Sequence, residues 1–109
     1  MTITELMQES YQTAKEKGWT EDGRTVGDHI ALMHSELSEA LEEFRKGWDL
    51  DKIYYWAPEL LKPEGIAAEL ADVMIRIAQF CQEKSVPLEQ ALKEKLAYNK
   101  TRSFRHGGK

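Results

Sequence analysis

Residues 66–84 read IAAELADVMIRIAQFCQEK and form the most apolar segment of the chain. Large apolar side chains recur in it every three or four residues, which is the spacing of one face of an α-helix. Alanines and a further isoleucine extend the apolar surface around the helix, so we predict that this segment is the central helix of the domain. The main apolar stripe consists of Ile66, Leu70, Val73, Met74, Ile77, Phe80 and Cys81.

Three other segments show the same helical spacing, and each has a recognisable start or end. A Thr–Glu capping box precedes the first, glycines follow the first and the second, and a proline occupies the first turn of the last. Four helices in 109 residues predict a single all-α domain, an antiparallel four-helix bundle. The predicted helices are residues 3–17, 28–47, 66–84 and 87–101, with an aromatic loop at 48–65 and a basic tail at 102–109.

The composition and the apolar pattern narrow the range of functions. Nineteen acidic and fifteen basic residues give a formal charge of −4, which disfavours binding to a nucleic-acid polymer. No apolar run reaches the about 18 residues of a membrane helix, and no secretion signal is recognisable, so we expect a cytoplasmic protein without a membrane partner. The single cysteine, Cys81, is expected to be a buried thiol. The apolar surface of residues 66–84 is too broad for three partner helices of this size, which predicts a homo-oligomer, a dimer or a tetramer.

Two of the predicted helices each carry a pair of acids at i, i+3 spacing. Glu36 and Glu39 share one flank of the second helix, and Glu69 and Asp72 share one flank of the central helix. Antiparallel packing would bring the two pairs face to face. Four carboxylates without a thiol suit Mg²⁺, with Mn²⁺ as a substitute. Iron is disfavoured, because helical di-iron sites use Glu-x-x-His pairs and this chain has none.

Acid pairs at this spacing also occur on solvent-facing helices, so a surface role for them stays open. Against it, Glu69 and Asp72 lie on the most apolar helix, where burying an unpaired carboxylate is costly. Arg76 lies on the same flank as these two acids. Glu42 and Glu43 are interpreted as ordinary surface residues.

With these motifs, the chain resembles the MazG-like all-α nucleoside triphosphate pyrophosphohydrolases, in particular their short single-domain branch, over nearly its whole length. Glu36 and Glu39 match the last two acids of the family's EExxE motif, whose first acid is replaced by Ser35, and Glu69 and Asp72 match its ExxD motif. The resemblance implies Mg²⁺-dependent hydrolysis of a nucleoside triphosphate to the monophosphate and pyrophosphate. It makes these four acids the metal ligands and assigns catalytic roles to Glu36 and Glu39, of which Glu39 orients or deprotonates the attacking water. House-cleaning of the nucleotide pool and a preference for dCTP-like substrates are further implications.

The sequence KLAYNKTR near the C-terminus resembles the K-x-x-x-N-x-x-R ending of the same family. Lys95, Asn99 and Arg102 lie at i, i+4 and i+7, on one face of the last helix. The resemblance implies that these side chains, together with Lys109, hold the triphosphate. A basic helix end is also explained by its favourable interaction with the helix dipole.

Aromatic residues supply flat surfaces for a nucleotide base. Stacking of a base on an aromatic ring contributes about 1–3 kcal/mol. We predict that Trp48 and Trp56 of the aromatic loop contact the base, joined by His29, which lies on the flank of Glu36. Trp19 is a further candidate. For any one of these rings, packing in the core or at a subunit interface is the alternative.

Two other functions stay open. In the first, the chain is a non-catalytic helical oligomerisation or regulatory module, and the acid pairs only solvate two helices. In the second, the metal site belongs to a phosphodiesterase or nuclease. The net charge counts against a polynucleotide substrate, although the basic residues near the C-terminus keep that function open.

Overall fold

The computed structural model describes residues 1–56 and 60–102. These residues form four helices and contain no β-strand, which confirms the predicted all-α class for the described part of the chain. None of these helices is long and apolar enough to cross a lipid bilayer. The helices are α1 (Ile3–Glu16), α2 (Val26–Arg45), α3 (Ile66–Glu83) and α4 (Leu88–Thr101).

Helix α2 begins earlier than predicted because a capping box lies upstream of the predicted start. The Oγ1 of Thr25 accepts a hydrogen bond from the backbone N–H of Asp28 (3.1 Å), and the Asp28 carboxylate accepts one from the N–H of Thr25 (2.9 Å). The two contacts satisfy backbone N–H groups that a helix start leaves without partners. The same contacts with Thr25 hold the pKa of Asp28 below its usual value.

Helix α3 lies at the centre of the fold and packs against both α1 and α2. The start of α2 meets the end of α3, since His29 lies beside Glu83, and further along Glu36 bonds Arg76. Helices α2 and α3 therefore run antiparallel. Helix α4 packs mainly against α1, and neither α2 nor α3 makes an extensive contact with it.

The core lies along α3 and is small. Among residues 1–56 and 60–102, no large side chain is fully buried. Cys81 is buried as expected, and burial raises the pKa of its thiol. Much of the apolar surface of the helices is therefore left exposed. The buried apolar residues are Ala14, Ala40, Ile66, Ala78, Phe80 and Cys81.

The loop between α2 and α3 is closed by a reciprocal pair of backbone hydrogen bonds. The N–H of Tyr54 donates to the carbonyl of Glu64, and the N–H of Glu64 donates to the carbonyl of Tyr54, both at 2.9 Å. Gly65 follows with a φ of 110°, and a Cβ there would lie 2.9 Å from the Tyr54 ring. A side chain at this position would be strained and would clash, so the closure requires glycine. This closure positions the first turn of α3, which carries Glu69.

Candidate metal centre

Carboxylates from α2 and α3 converge where the two antiparallel helices meet. Glu36, Glu69 and Asp72 each place a carboxylate oxygen within 4.8 Å of the others. Glu39 joins them, because hydrogen bonding to Glu39 and its negative charge are among the causes that raise the pKa of Glu69. The i, i+3 spacing puts both acids of each helix on the flank that faces the other helix. These four residues are called the acid cluster below.

Glu69 is the most perturbed member of the acid cluster. Its Oε2 is buried, and no hydrogen-bond donor among the described residues reaches it. Burial, the hydrogen bond to Glu39 and the neighbouring negative charges raise the pKa of Glu69 to about 7. This carboxyl therefore holds a proton more readily than an ordinary glutamate does. A divalent cation would replace that proton and supply the buried oxygen with a partner.

One arginine, Arg76, forms an ion pair with the acid cluster in the described residues, and it bonds Glu36. Burial, followed by the charge of Glu36, raises the pKa of Asp72, while Arg76 and Lys62 act in the opposite direction. The Nε of Arg76 donates to Glu36 Oε1 at 2.7 Å in a partly buried ion pair. One bonded guanidinium against four carboxylates leaves an excess of negative charge.

The donor set of the acid cluster fits a hard cation. Carboxylate oxygens are the ligands that Mg²⁺ and Mn²⁺ prefer. In octahedral coordination at about 2.1 Å, the ligand oxygens are about 3.0–4.2 Å apart. Small side-chain rotations would bring three oxygens that now lie within 4.8 Å of one another to that spacing. The acid cluster could therefore hold one such ion, with Glu69 gaining most from it.

A pocket of about 420 Å³ opens directly beside the acid cluster. Glu36 and Asp72 form part of its wall, so a ligand in the pocket would contact the same carboxylates. Trp19 is half-exposed and offers a flat apolar surface, and Gln79 is largely buried and offers an amide. Two arginines add positive charge. The lining residues are Trp19, Arg24, Glu36, Asp72, Ile75, Arg76 and Gln79.

The three predicted base-binding residues do not line this pocket. Trp48 and Trp56 pack around Tyr54 in the loop, where the rings of Tyr54 and Trp56 are stacked at 5.6 Å with an interplanar angle of 6°. His29 is buried with its ring 5.2 Å from that of Phe80. Of the aromatic residues considered from the sequence, Trp19 is the one at the pocket.

The predicted phosphate-binding residues on α4 lie together but apart from the pocket. Arg102 Nη1 donates to Asn99 Oδ1 at 3.3 Å, and the Lys95 and Arg102 cations each lie 5.8 Å from the Tyr98 ring centroid. In the described part of the chain, no residue of α4 lines the pocket. Lys109 falls outside the described residues.

Three residues at or near the site escape the sequence reasoning. The interpretation of Glu43 as an ordinary surface residue is wrong. Its side chain is 13% exposed, and its Oε2 has no hydrogen-bond partner in the described chain. Its position seven residues after Glu36 puts it on the same flank of α2, which is the signal that could have found it. Gln79 follows Asp72 by seven residues in the same way. Arg24 lies between α1 and α2, where no periodicity points to the site.

Comparisons with family models, with curated proteins and with solved structures find no match for this chain.

Proposed function

We propose that the protein is a Mg²⁺-dependent hydrolase of the MazG-like all-α type, which cleaves a nucleoside triphosphate to the monophosphate and pyrophosphate. Glu69 carries the proposal: it is a carboxyl with a buried Oε2 that no described donor reaches and with a pKa of about 7, and three other acids surround it. Such an arrangement is costly for a purely structural surface and is expected at a cation site. The EExxE-like and ExxD motifs that supply these acids support the same function.

In this proposal, each acid of the cluster has a role set by its position. Glu36, Glu69 and Asp72 hold the cation, since their oxygens already lie within 4.8 Å of one another. A bound Mg²⁺ supplies positive charge for the phosphates and lowers the pKa of the attacking water. Glu39, hydrogen-bonded to Glu69, orients or deprotonates that water.

The pocket beside the acid cluster supplies the substrate site. Its volume of about 420 Å³ lies within the range of small-molecule sites in proteins. Arg76 on the pocket wall offers positive charge to the phosphates, whereas Arg24, paired with Asp22, adds little. Trp19 stacks on the base. From the resemblance we further infer that the protein is a homo-oligomer of the cytoplasm. We also infer that it removes noncanonical nucleotides and prefers dCTP-like substrates.

The test is a panel of nucleoside triphosphates incubated with Mg²⁺, with the products separated by chromatography. We expect monophosphate and pyrophosphate, and no turnover in EDTA. Glu69→Gln should abolish turnover, whereas the matched change Glu9→Gln, on the exposed surface of α1, should leave it unchanged. Formation of diphosphate and orthophosphate, or no turnover of any nucleotide, would overturn the proposal. A non-catalytic module would in addition show no change in melting temperature with Mg²⁺.

A further inference from the structure

Four residues of α3 form a continuous stripe along one wall of the pocket beside the acid cluster. They lie at i, i+3, i+4 and i+7, which is one face of a helix. The helix rises about 10 Å from the first of them to the last. Over that length the chemistry of the wall changes from a carboxylate of the acid cluster to an arginine and then to a neutral amide. The stripe consists of Asp72, Ile75, Arg76 and Gln79.

Gln79 ends the stripe and is a polar residue that is almost wholly buried. It is 8% exposed, so more than nine-tenths of its surface is covered. Its side-chain amide forms no hydrogen bond with a described residue, yet it is not sealed in the interior, since Gln79 lines the pocket. Buried amides in proteins nearly always have a hydrogen-bond partner. The amide of Gln79 therefore faces the pocket, where a ligand can supply that partner.

The two arginines of the pocket wall already hold carboxylates. The Nε of Arg76 bonds Glu36 at 2.7 Å, and the Nε of Arg24 lies 2.6 Å from a carboxylate oxygen of Asp22. In the described lining of the pocket, the amide of Gln79 is thus the neutral polar group that is left to select a ligand.

The pocket also offers apolar surface to a flat ligand. Trp19 and Ile75 both line it, and they are 54% and 42% exposed. Such surface suits the faces of a nucleotide base. A carboxamide suits the edge of a base, because it places one donor and one acceptor side by side. On its Watson–Crick edge, each of the ordinary bases likewise has a donor next to an acceptor.

We propose that Gln79 binds the Watson–Crick edge of the substrate's base through two hydrogen bonds and so limits the substrates to nucleotides in which this edge is unsubstituted. The inference rests on the proposed function for the orientation of the nucleotide. A cation at Asp72 holds the phosphates at that end of the stripe, and the sugar and base then extend along α3 towards Gln79. A base altered elsewhere, such as at C5 of a pyrimidine, is accepted. Gln79 is a specificity-determining residue and takes no part in the chemical step.

Binding of nucleoside monophosphates tests the role of Gln79 without turnover, because a monophosphate is the product and is not consumed. Three probes are titrated into the protein by calorimetry in the presence of Mg²⁺. They are dUMP, dTMP, which has a methyl group at C5, and N3-methyl-dUMP, in which the edge is blocked while the base stays uncharged. We expect wild type to bind dUMP and dTMP about tenfold to hundredfold more tightly than N3-methyl-dUMP, which is the range for two lost hydrogen bonds.

The substitution Gln79→Met removes both hydrogen-bonding groups and nearly keeps the shape of the side chain. This variant should bind the three probes about equally, and more weakly than wild type binds dUMP. Gln12→Met, on the exposed surface of α1, is the matched control and should keep the wild-type preference. Circular dichroism and melting temperature show whether each variant is folded. The comparison of the three probes on wild type needs no substitution, so it decides the matter even if Gln79→Met is unstable.

Equal binding of the three probes to wild type would overturn the assignment, and so would the absence of dUMP binding. A preference against N3-methyl-dUMP that survives in Gln79→Met would overturn it as well, because another group would then bind the edge. The proposed function fails separately. If the preference depends on Gln79 but no triphosphate is hydrolysed, base binding stands and the hydrolase does not. If triphosphates are hydrolysed and the N3 methyl group makes no difference, the hydrolase stands and the role of Gln79 is refuted.

Discussion

The Glu69→Gln substitution should stabilise the protein in the absence of divalent cations. Glu69 has a pKa of about 7 in the folded chain, against 4.5 for an ordinary glutamate, so its ionised form is disfavoured by folding. Taken in full, that shift corresponds to about 3 kcal/mol at pH 8. The carboxyl is partly exposed and screened by water, which reduces the figure to about 1–2 kcal/mol. A neutral glutamine also removes the repulsion from the carboxylates of Glu39, Asp72 and Glu36.

The stabilisation by Glu69→Gln depends on pH. A carboxyl whose pKa is raised by folding costs no stability below pH 4.5, costs more as the pH rises, and reaches its full cost above about pH 7. Thermal unfolding in EDTA at pH 8 should therefore show a higher melting temperature for Glu69→Gln, by about 4–8 °C for each kcal/mol. At pH 5 the gain should be small.

Adding Mn²⁺ should give wild type a higher melting temperature than Glu69→Gln, the reverse of their order in EDTA. Wild type gains stability by binding the cation, and Glu69→Gln gains little because it has lost a ligand. Glu9→Gln, with an exposed carboxyl on α1, should follow wild type under every condition. Equal melting temperatures at pH 8, or a gain that persists undiminished at pH 5, would refute the electrostatic account of Glu69.

Three further measurements test other parts of the molecule. The affinity for Mn²⁺ should rise about tenfold from pH 6 to pH 8 in calorimetry, because the cation displaces a proton from Glu69, and a flat profile would show that Glu69 is no ligand. If Trp19 stacks on the base, Trp19→Ala should raise KM about tenfold with little change in kcat. If Trp56→Ala raises KM in this way and Trp19→Ala does not, the base lies at the loop. Thr25→Ala should lower the free energy of unfolding by about 1 kcal/mol in urea titrations, through loss of the α2 cap, and no loss would contradict the capping role.

Local patterns in the sequence predict the helices and the acid pairs because both depend on periodicity. The 3.6-residue repeat of α3 and the i, i+3 spacing of Glu36 and Glu39 are properties of one helix, and antiparallel neighbours are the common outcome in small bundles. Helix α2 starts earlier than its apolar pattern predicts, because its capping box has Asp28 in place of the usual glutamate or glutamine. That signal is local and could have been used.

Other features depend on tertiary packing, which periodicity does not specify. Whether Glu43 is buried is decided by what packs against the end of α2, and an acid followed by basic residues is usually solvated. Trp19 and Arg24 reach the pocket through the irregular connection between α1 and α2. The sequence also predicts that Lys95 and Arg102 share a face, but not that this face lies apart from the acid cluster.

Charge balance at the acid cluster sets what the site would need in order to hold an anionic substrate. A divalent cation and Arg76 together leave one of the four carboxylate charges uncompensated. Arg24 is already held by Asp22 at 2.6 Å, so it contributes little further positive charge. A triphosphate brought to this site would therefore meet a surface close to neutral or still negative, which cannot hold its charge. Holding a triphosphate there would therefore require positive charge beyond that of the cation and Arg76.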